Sequence, residues 1–312
     1  MRMPKLPPLL AKGMLEAILV LLCVVFAFTA EGFLSFENLL NILHQIALMG
    51  IVAFGMTAVI IANEIDLSVG SLVAASGCLL AFLVYKGMPV VVAIPVVVIA
   101  GALSGAFTGV MRVAFQVPSF ITTLALFTAY RGVALQLTGG FALTPFPSWF
   151  ETLGGRIGNV PVPAFVLLAV FALMHFLMRH TTFGSAVYAV GGNEEAARLS
   201  GIRVGLVKVL VFATLGGLTA LSGILTASKV MAGSPMVGTG LELEAIAAVI
   251  IGGTSFTGGV GTVRGTLLGV VFIGVIINGM TLLDVPSYNQ LIVRGALILA
   301  AVLINRLQET QA

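Results

Sequence analysis

Charge is scarce in this chain, and it gathers most densely in Asn193-Glu194-Glu195-Ala196-Ala197-Arg198-Leu199-Ser200-Gly201-Ile202. Paired carboxylates, an arginine one turn on and a closing glycine predict a short helix with a charged face. Such a helix offers a surface to dock on, not a centre that reacts. A reaction centre needs a clustered acid, base, nucleophile or metal set. The three histidines, His44, His175 and His180, do not supply one. His175 and His180 lie five residues apart, off the i, i+4 spacing of a His-Glu-x-x-His metal helix. No serine sits in a Gly-x-Ser-x-Gly elbow. The glycine-rich run 251–265 lacks a Gly-Lys-Ser/Thr ending and follows no strand, so it is neither a P-loop nor a dinucleotide fingerprint. No catalytic residue, metal or cofactor is expected.

Two further polar islands interrupt apolar runs. Ile60-Ile61-Ala62-Asn63-Glu64-Ile65-Asp66-Leu67-Ser68-Val69-Gly70-Ser71 places two carboxylates and an amide at a junction. Ionisable groups at membrane depth are costly and face a wet cavity or a partner. Asp66 and Ser68 also suit the start of a helix, where they cap free N–H groups. Both readings stand at this point. The run Ile251–Gly265 is too rich in glycine for a helix interior and predicts a turn with close backbone approach. The two islands share Val-Ile-Ile, at 59–61 and 249–251, a weak hint of the repeated halves common in transporters.

The elements that position these islands follow from composition. Of 312 residues, 59% are hydrophobic and 9% charged, with a mean hydropathy of +1.15. A soluble chain carries roughly 25% charged residues, so most of this surface faces lipid. Long unbroken apolar runs predict an all-α polytopic membrane protein rather than a barrel, whose strands alternate. About ten spans are expected, at 14–30, 42–62, 68–85, 90–111, 119–137, 163–178, 206–227, 241–252, 265–283 and 289–305. The eighth is too short to cross a hydrocarbon core of ~30 Å as a regular helix. It is re-entrant, or it extends through Pro235–Gly240. An apolar run after Arg2, Lys5 and Lys12 resembles a signal peptide, but Phe28 at the −3 position argues for an uncleaved first span.

With both termini cytoplasmic, Arg2, Lys5, Lys12, Arg112, Arg179, Arg198, Arg203, Lys208, Arg264 and Arg306 fall inside. Only Lys86, Arg156 and Lys229 fall outside, as the positive-inside rule requires. Arg131 and Arg294 lie within spans. Residues 1–312 then form a single transmembrane domain, with an inside loop at 179–208 and an outside loop at 138–162 whose Trp149 suits the headgroup level. Cys23 and Cys78 lie in spans as packing residues. Gly101, Gly105 and Gly109, Gly265 and Gly269, and Gly216, Gly217 and Gly223 form small-residue faces for close helix packing, within one subunit or across a dimer. Glu64, Asp66, Arg131 and Arg294 would suit an ion-coupled carrier, although such a carrier has no use for the docking helix.

At this point the motifs carry a resemblance. Gly55-Met56-Thr57 with Ile65-Asp66-Leu67-Ser68-Val69-Gly70-Ser71, then Val117-Pro118-Ser119-Phe120-Ile121-Thr122-Thr123-Leu124 with Arg131-Gly132, open a series. It continues through Phe183-Gly184, Tyr188 to Asn193, Ala196 to Ile202, Glu244-Ala245-Ile246-Ala247 and Gly265-Thr266-Leu267-Leu268-Gly269. In this order the chain resembles the permeases of bacterial ABC sugar importers of the ribose, xylose, arabinose and galactose type, within the branched-chain amino-acid/ribose permease family. The resemblance implies a place in the bacterial cytoplasmic (inner) membrane and a second permease subunit, identical or homologous. It also implies an ABC ATPase subunit and an extracytoplasmic sugar-binding protein, with no nucleic acid partner.

The resemblance makes 194–201 the coupling helix, with Glu194, Glu195, Ala196, Ala197, Arg198 and Gly201 meeting the ATPase. The expected pathway residues are Asn63, Glu64, Asp66, Phe120, Thr122, Thr123 and Asn278. Asn63-Glu64 departs from the Gly-Gly usual in the family and leaves the sugar open. A branched-chain amino acid is the related alternative, and a polyol or signalling sugar is another.

Overall fold

The computed structural model describes residues 13–309, without the side chains of 301, 302 and 304–309. Arg2, Lys5, Lys12 and the Arg306 side chain lie outside the described residues. The chain is a helical bundle: α1 Met14–Thr29, α2 Phe36–Ile61, α3 Val69–Tyr85, α4 Val90–Ala114, α5 Ser119–Thr138, α6 Val162–His180, α7 Thr182–Gly192, α8 Glu194–Leu199, α9 Val204–Val230, α10 Leu241–Ile251, α11 Val263–Leu282 and α12 Ser287–Glu309. Six of these, α2, α4, α5, α6, α9 and α11, are long and apolar enough to cross a membrane. Among the described residues one two-stranded antiparallel pair, Arg156–Ile157 with Val160–Pro161, lies in the 138–162 loop.

The second helix starts six residues before the expected 42, because Ser35 caps it by accepting the Asn38 N–H at 3.2 Å. The expected inside loop 179–208 holds two helices, α7 and α8, rather than one.

The axis of the bundle is α2, whose residues Ile51 to Ile61 are all but fully buried. Its glycines let neighbours in: a Cβ on Gly50 would press on Leu167 of α6 and Val270 of α11, and one on Gly55 on Leu215 of α9. In lipid this packing, not apolar transfer, holds helices together. The small-residue faces all meet helices of the same chain. A Cβ on Gly105 of α4 would collide with the Phe212 carbonyl of α9, and Gly101 and Gly109 meet Gly216 and Val209. Gly265 and Gly269 meet the carbonyls of Gly252 and Ala248, and Gly223 that of Val73. The opposite side of α4, with Val91, Ile99, Leu103 and Phe107, is exposed.

The two polar breaks end their helices in the same way. After α2, the Asn63 N–H reaches Ile60 O at 2.9 Å and the Glu64 N–H reaches Val59 O at 3.1 Å. After α10, the Gly253 N–H reaches Ile250 O at 2.9 Å and the Thr254 N–H reaches Val249 O at 3.2 Å. Asn63 (φ 60°) and Gly253 (φ 87°) are both left-handed, the conformation that such helix endings need. The sequence hint at 59–61 and 249–251 is therefore a repeated local structure. The breaks also touch: the Gly259 N–H donates to Ile61 O at 2.9 Å, and Gly191 packs so tightly on that carbonyl that no Cβ fits.

Pro235–Gly240 does not extend α10 as helix. Residues 231–240 run back along α3 without regular structure. Gly233 packs on Ala81 and Cys78, and Gly238 on the Gly70 carbonyl. Gly70 to Ala81 rises roughly 16 Å along α3, about the reach of extended chain from Gly233 to Gly238. Irregular backbone here must find donors. Arg131 of α5 supplies them, donating through Nη1 to Pro235 O and, at 3.0 Å, to Val237 O. The Leu143 N–H and carbonyl clamp Gly233 at the far end.

Candidate functional site

The short charged helix α8 owes its existence to its two ends. Asn193 accepts the Ala196 N–H through Oδ1 at 2.9 Å, satisfying one of the free donors of the first turn. Gly201, at φ 84°, closes the last turn, with its N–H on Arg198 O and the Ile202 N–H on Ala197 O. A helix of six residues is too short to hold itself, so packing must fix it. Ala197 supplies that contact and is buried, while Glu195, Ala196, Arg198 and Leu199 are exposed, Leu199 at 81%.

Glu194 turns inward, unlike Glu195. Its Oε2 accepts from Lys208 Nζ of α9 at 2.7 Å, and the same ammonium lies 2.8 Å from Glu64 Oε1 in the first break. Arg112, in the last turn of α4, donates through Nε to that Glu64 oxygen at 2.8 Å. The side chains of Lys208 and Glu64 are 5% and 4% exposed. Four elements thus meet through two carboxylates and two cations. Buried charge is tolerated when every member is paired, and here each is. The Lys208 hydrogen bond, with the nearby positive charges, holds the Glu194 carboxyl below the ordinary carboxylate range despite partial burial. The outer pairs of Arg198 with Glu194 (3.2 Å) and Glu195 (3.6 Å) are exposed and contribute little.

A cleft of about 590 Å³ opens between α4 and α8, lined by Arg112, Gln116, Arg198, Arg203 and Lys208. Glu194 lines it as well, so the cleft is mostly basic with one carboxylate at its edge.

Among the expected pathway residues, the structure gathers some and separates others. Asn63, Glu64 and Phe120 line one cleft of about 260 Å³, with Arg112 and Ser119. Asp66 is buried, its Oδ1 accepting from the Ser68 N–H at 2.8 Å and the Ser68 hydroxyl at 2.6 Å, which orders the turn into α3. Thr122 is buried with its hydroxyl unpartnered, and the Thr123 hydroxyl donates to Phe120 O at 3.4 Å. Asn278 stands apart. It exchanges two hydrogen bonds, 3.0 and 2.8 Å, with Asn38 at the start of α2. That is nearly the length of α2, which is roughly 39 Å, from Asn63. Arg294 pairs with Glu244.

Sequence reasoning missed Lys208 and Arg112 as members of the site, counting them only as inside charges. A lysine near the start of an apolar helix, with an unpaired Glu64 elsewhere, was the available signal.

The family described as branched-chain amino acid transport system / permease component matches residues 38–302. The chain is 41% identical to the ribose import permease protein RbsC of Haemophilus influenzae, over 91% of this chain and 90% of that one. It is 44% identical to the probable ABC transporter permease protein YphD of Escherichia coli K12, over 93% and 88%. Identity to the xylose transport system permease protein XylH of the same strain is 35%, over 92% and 89%. No solved structure matches.

Proposed function

We propose that this chain, which belongs to the branched-chain amino acid transport system permease family, is the membrane-spanning subunit of an ABC importer of a pentose or hexose. It is a multi-pass protein of the bacterial inner membrane and not itself an enzyme, hydrolysis falling to a separate ATPase subunit. Ribose and xylose, named for its relatives, are the first substrates to test.

Helix α8 is the coupling helix. The observation that carries this is the buried Lys208 ammonium, which ties Glu194 of α8 to Glu64 of the first break. A push on the outward face, at Glu195, Ala196 and Arg198, is passed through Glu194 and Ala197 to α9 and to the chain entering α3. Gly201 fixes the angle at which α8 leaves. Nucleotide-driven closure of the ATPase then reorients the helices. Both termini and α8 are cytoplasmic, where ATP is.

The crossings number ten in this reading. The eighth is composite: the irregular stretch 231–240 descends along α3, and α10, about 16 Å long, completes the hydrocarbon thickness. A second permease subunit completes the pathway, an extracytoplasmic binding protein delivers the sugar, and Asn63, Glu64, Asp66, Phe120, Thr122 and Thr123 lie along the inner part of its route. Asn278, saturated by Asn38, contributes structure there.

The test is uptake of labelled ribose, xylose and leucine by proteoliposomes holding this chain with the ATPase and binding protein encoded beside it. Sugar uptake that needs internal ATP is expected, and it is abolished by Glu195→Ala or Gly201→Pro with insertion intact. Uptake of leucine alone moves the substrate to the amino-acid class. Uptake that follows an ion gradient without the ATPase overturns the reading.

A further inference from the structure

A second cleft, of about 340 Å³, lies at the same end of the bundle, away from Lys208. It is lined by His175 and Arg179 of α6, Ser185 and Tyr188 of α7, and Thr262 and Arg264 at the start of α11. Both arginines are exposed. Among the described residues neither has a carboxylate within ion-pair distance, whereas Arg112, Arg198 and Lys208 each have one. The start of α11 adds the partial positive charge of its first turn, with Thr262 Oγ1 taking the Gly265 N–H at 3.0 Å. The walls are built in advance: the Tyr188 hydroxyl donates to Gly261 O at 2.8 Å, fixing α7 to the chain that enters α11.

What adjoins the cleft decides its occupant. Along α6 from Arg179, Phe176, Leu173, Leu168 and Phe165 are all more than half exposed, an apolar strip at the depth of acyl chains. A cationic pocket above such a strip fits a molecule with an anionic head and two hydrocarbon tails. Arginine pairs with phosphate oxygens through two parallel hydrogen bonds, and basic pockets between membrane helices hold anionic lipid headgroups. We propose that this cleft binds the phosphodiester headgroup of an anionic phospholipid, whose acyl chains lie along the outer face of α6. The site does not depend on the coupling role of α8. It gives the α6–α7–α11 corner a fixed anchor at the membrane surface.

The experiment is native mass spectrometry of the full-length protein, delipidated in detergent and titrated with phosphatidylglycerol, phosphatidylcholine or inorganic phosphate. Phosphatidylglycerol should be retained in preference to phosphatidylcholine, with affinity falling about fivefold for each of Arg179→Gln and Arg264→Gln, as expected per basic residue near an anionic surface. Arg156→Gln, at the opposite end, should leave retention unchanged. Arg264→Lys keeps the charge and should lose less than Arg264→Gln. Equal retention of the two lipids, or full retention by the double glutamine variant, overturns the proposal. Displacement of the lipid by inorganic phosphate alone reassigns the cleft to a free anion. Loss of ATPase-subunit binding in the variants, with lipid retention intact, reassigns it to a protein surface.

Discussion

Glu64 and Glu194, on separate elements, share one ammonium: Lys208 Nζ is 2.8 Å from the first and 2.7 Å from the second. Replacing it by Lys208→Met leaves Glu64 buried with Arg112 as its remaining partner. Removing one member of a buried pair costs about 3–5 kcal/mol, and Arg112 should reduce the loss to roughly 2–3. The double variant Lys208→Met with Glu64→Gln should recover much of it. Thermal unfolding in detergent measures both. A Lys208→Met protein as stable as the parent would mean that the network carries no energy.

Acid should loosen α8 late. Glu194 is held below the ordinary carboxylate range by Lys208, so its contribution is fully present above the unfolded value, about 4.3. It is lost only as pH falls through the lower folded value. Hydrogen exchange at residues 194–201 should therefore stay slow through mildly acidic pH and rise below it. In Glu194→Gln this rise should be missing. A rise near pH 6 in the parent would contradict the assignment.

Gly105 admits no side chain. Gly105→Ala sets a Cβ against the Phe212 carbonyl, and the α4–α9 seam must part along its length. Overpacking of this kind costs about 1–3 kcal/mol, while Gly132→Ala, with open space around it, should cost little. Melting temperatures of the two variants, side by side, check the contrast.

Arg131→Met removes both donors from the carbonyls of Pro235 and Val237. Each buried carbonyl left unpaired costs about 1–3 kcal/mol. The expected result is a protein that inserts but shows faster proteolysis or hydrogen exchange across 231–240. Unaltered exchange there would show that other donors serve these carbonyls.

Asn38 and Asn278 should behave as a pair. Either one changed to Leu strands the other amide in a buried site and destabilises by about 1–3 kcal/mol, whereas the double change is near neutral. A double-variant cycle on unfolding measures the coupling, and simple addition of the two single effects would disprove it.

Helix positions were largely legible, because a helix that crosses lipid by itself is a long apolar run and charges mark its ends. Helix α8 was legible for a different reason: Asn193 and Gly201 are the end signals of a short helix, and both act as such. What sequence could not give was partnership across the fold. Lys208 reads as one more inside charge until α9 packs and carries it against Glu64. Arg131 reads as a carrier's ion site until the irregular stretch beside it supplies carbonyls. Asn63, an oddity where the resembling family favours glycine, proves to occupy a left-handed position that asparagine tolerates. The first turn of α2, with polar Glu37 and Asn38, lies before the expected span at 42, and the Ser35 cap and the Asn278 partner explain it there.

The stretch 231–240 also bears on how the protein is made. A segment whose Pro235 and Val237 carbonyls depend on Arg131, and whose Gly233 and Gly238 pack against α3, does not enter the bilayer by its own apolarity as a helix does. In the ten-crossing reading proposed above, its insertion waits until α3 and α5 are in place to receive it, which makes α10 a late arrival in assembly. An error in α5 should therefore surface far along the chain, as a failed insertion of α10 and everything after it.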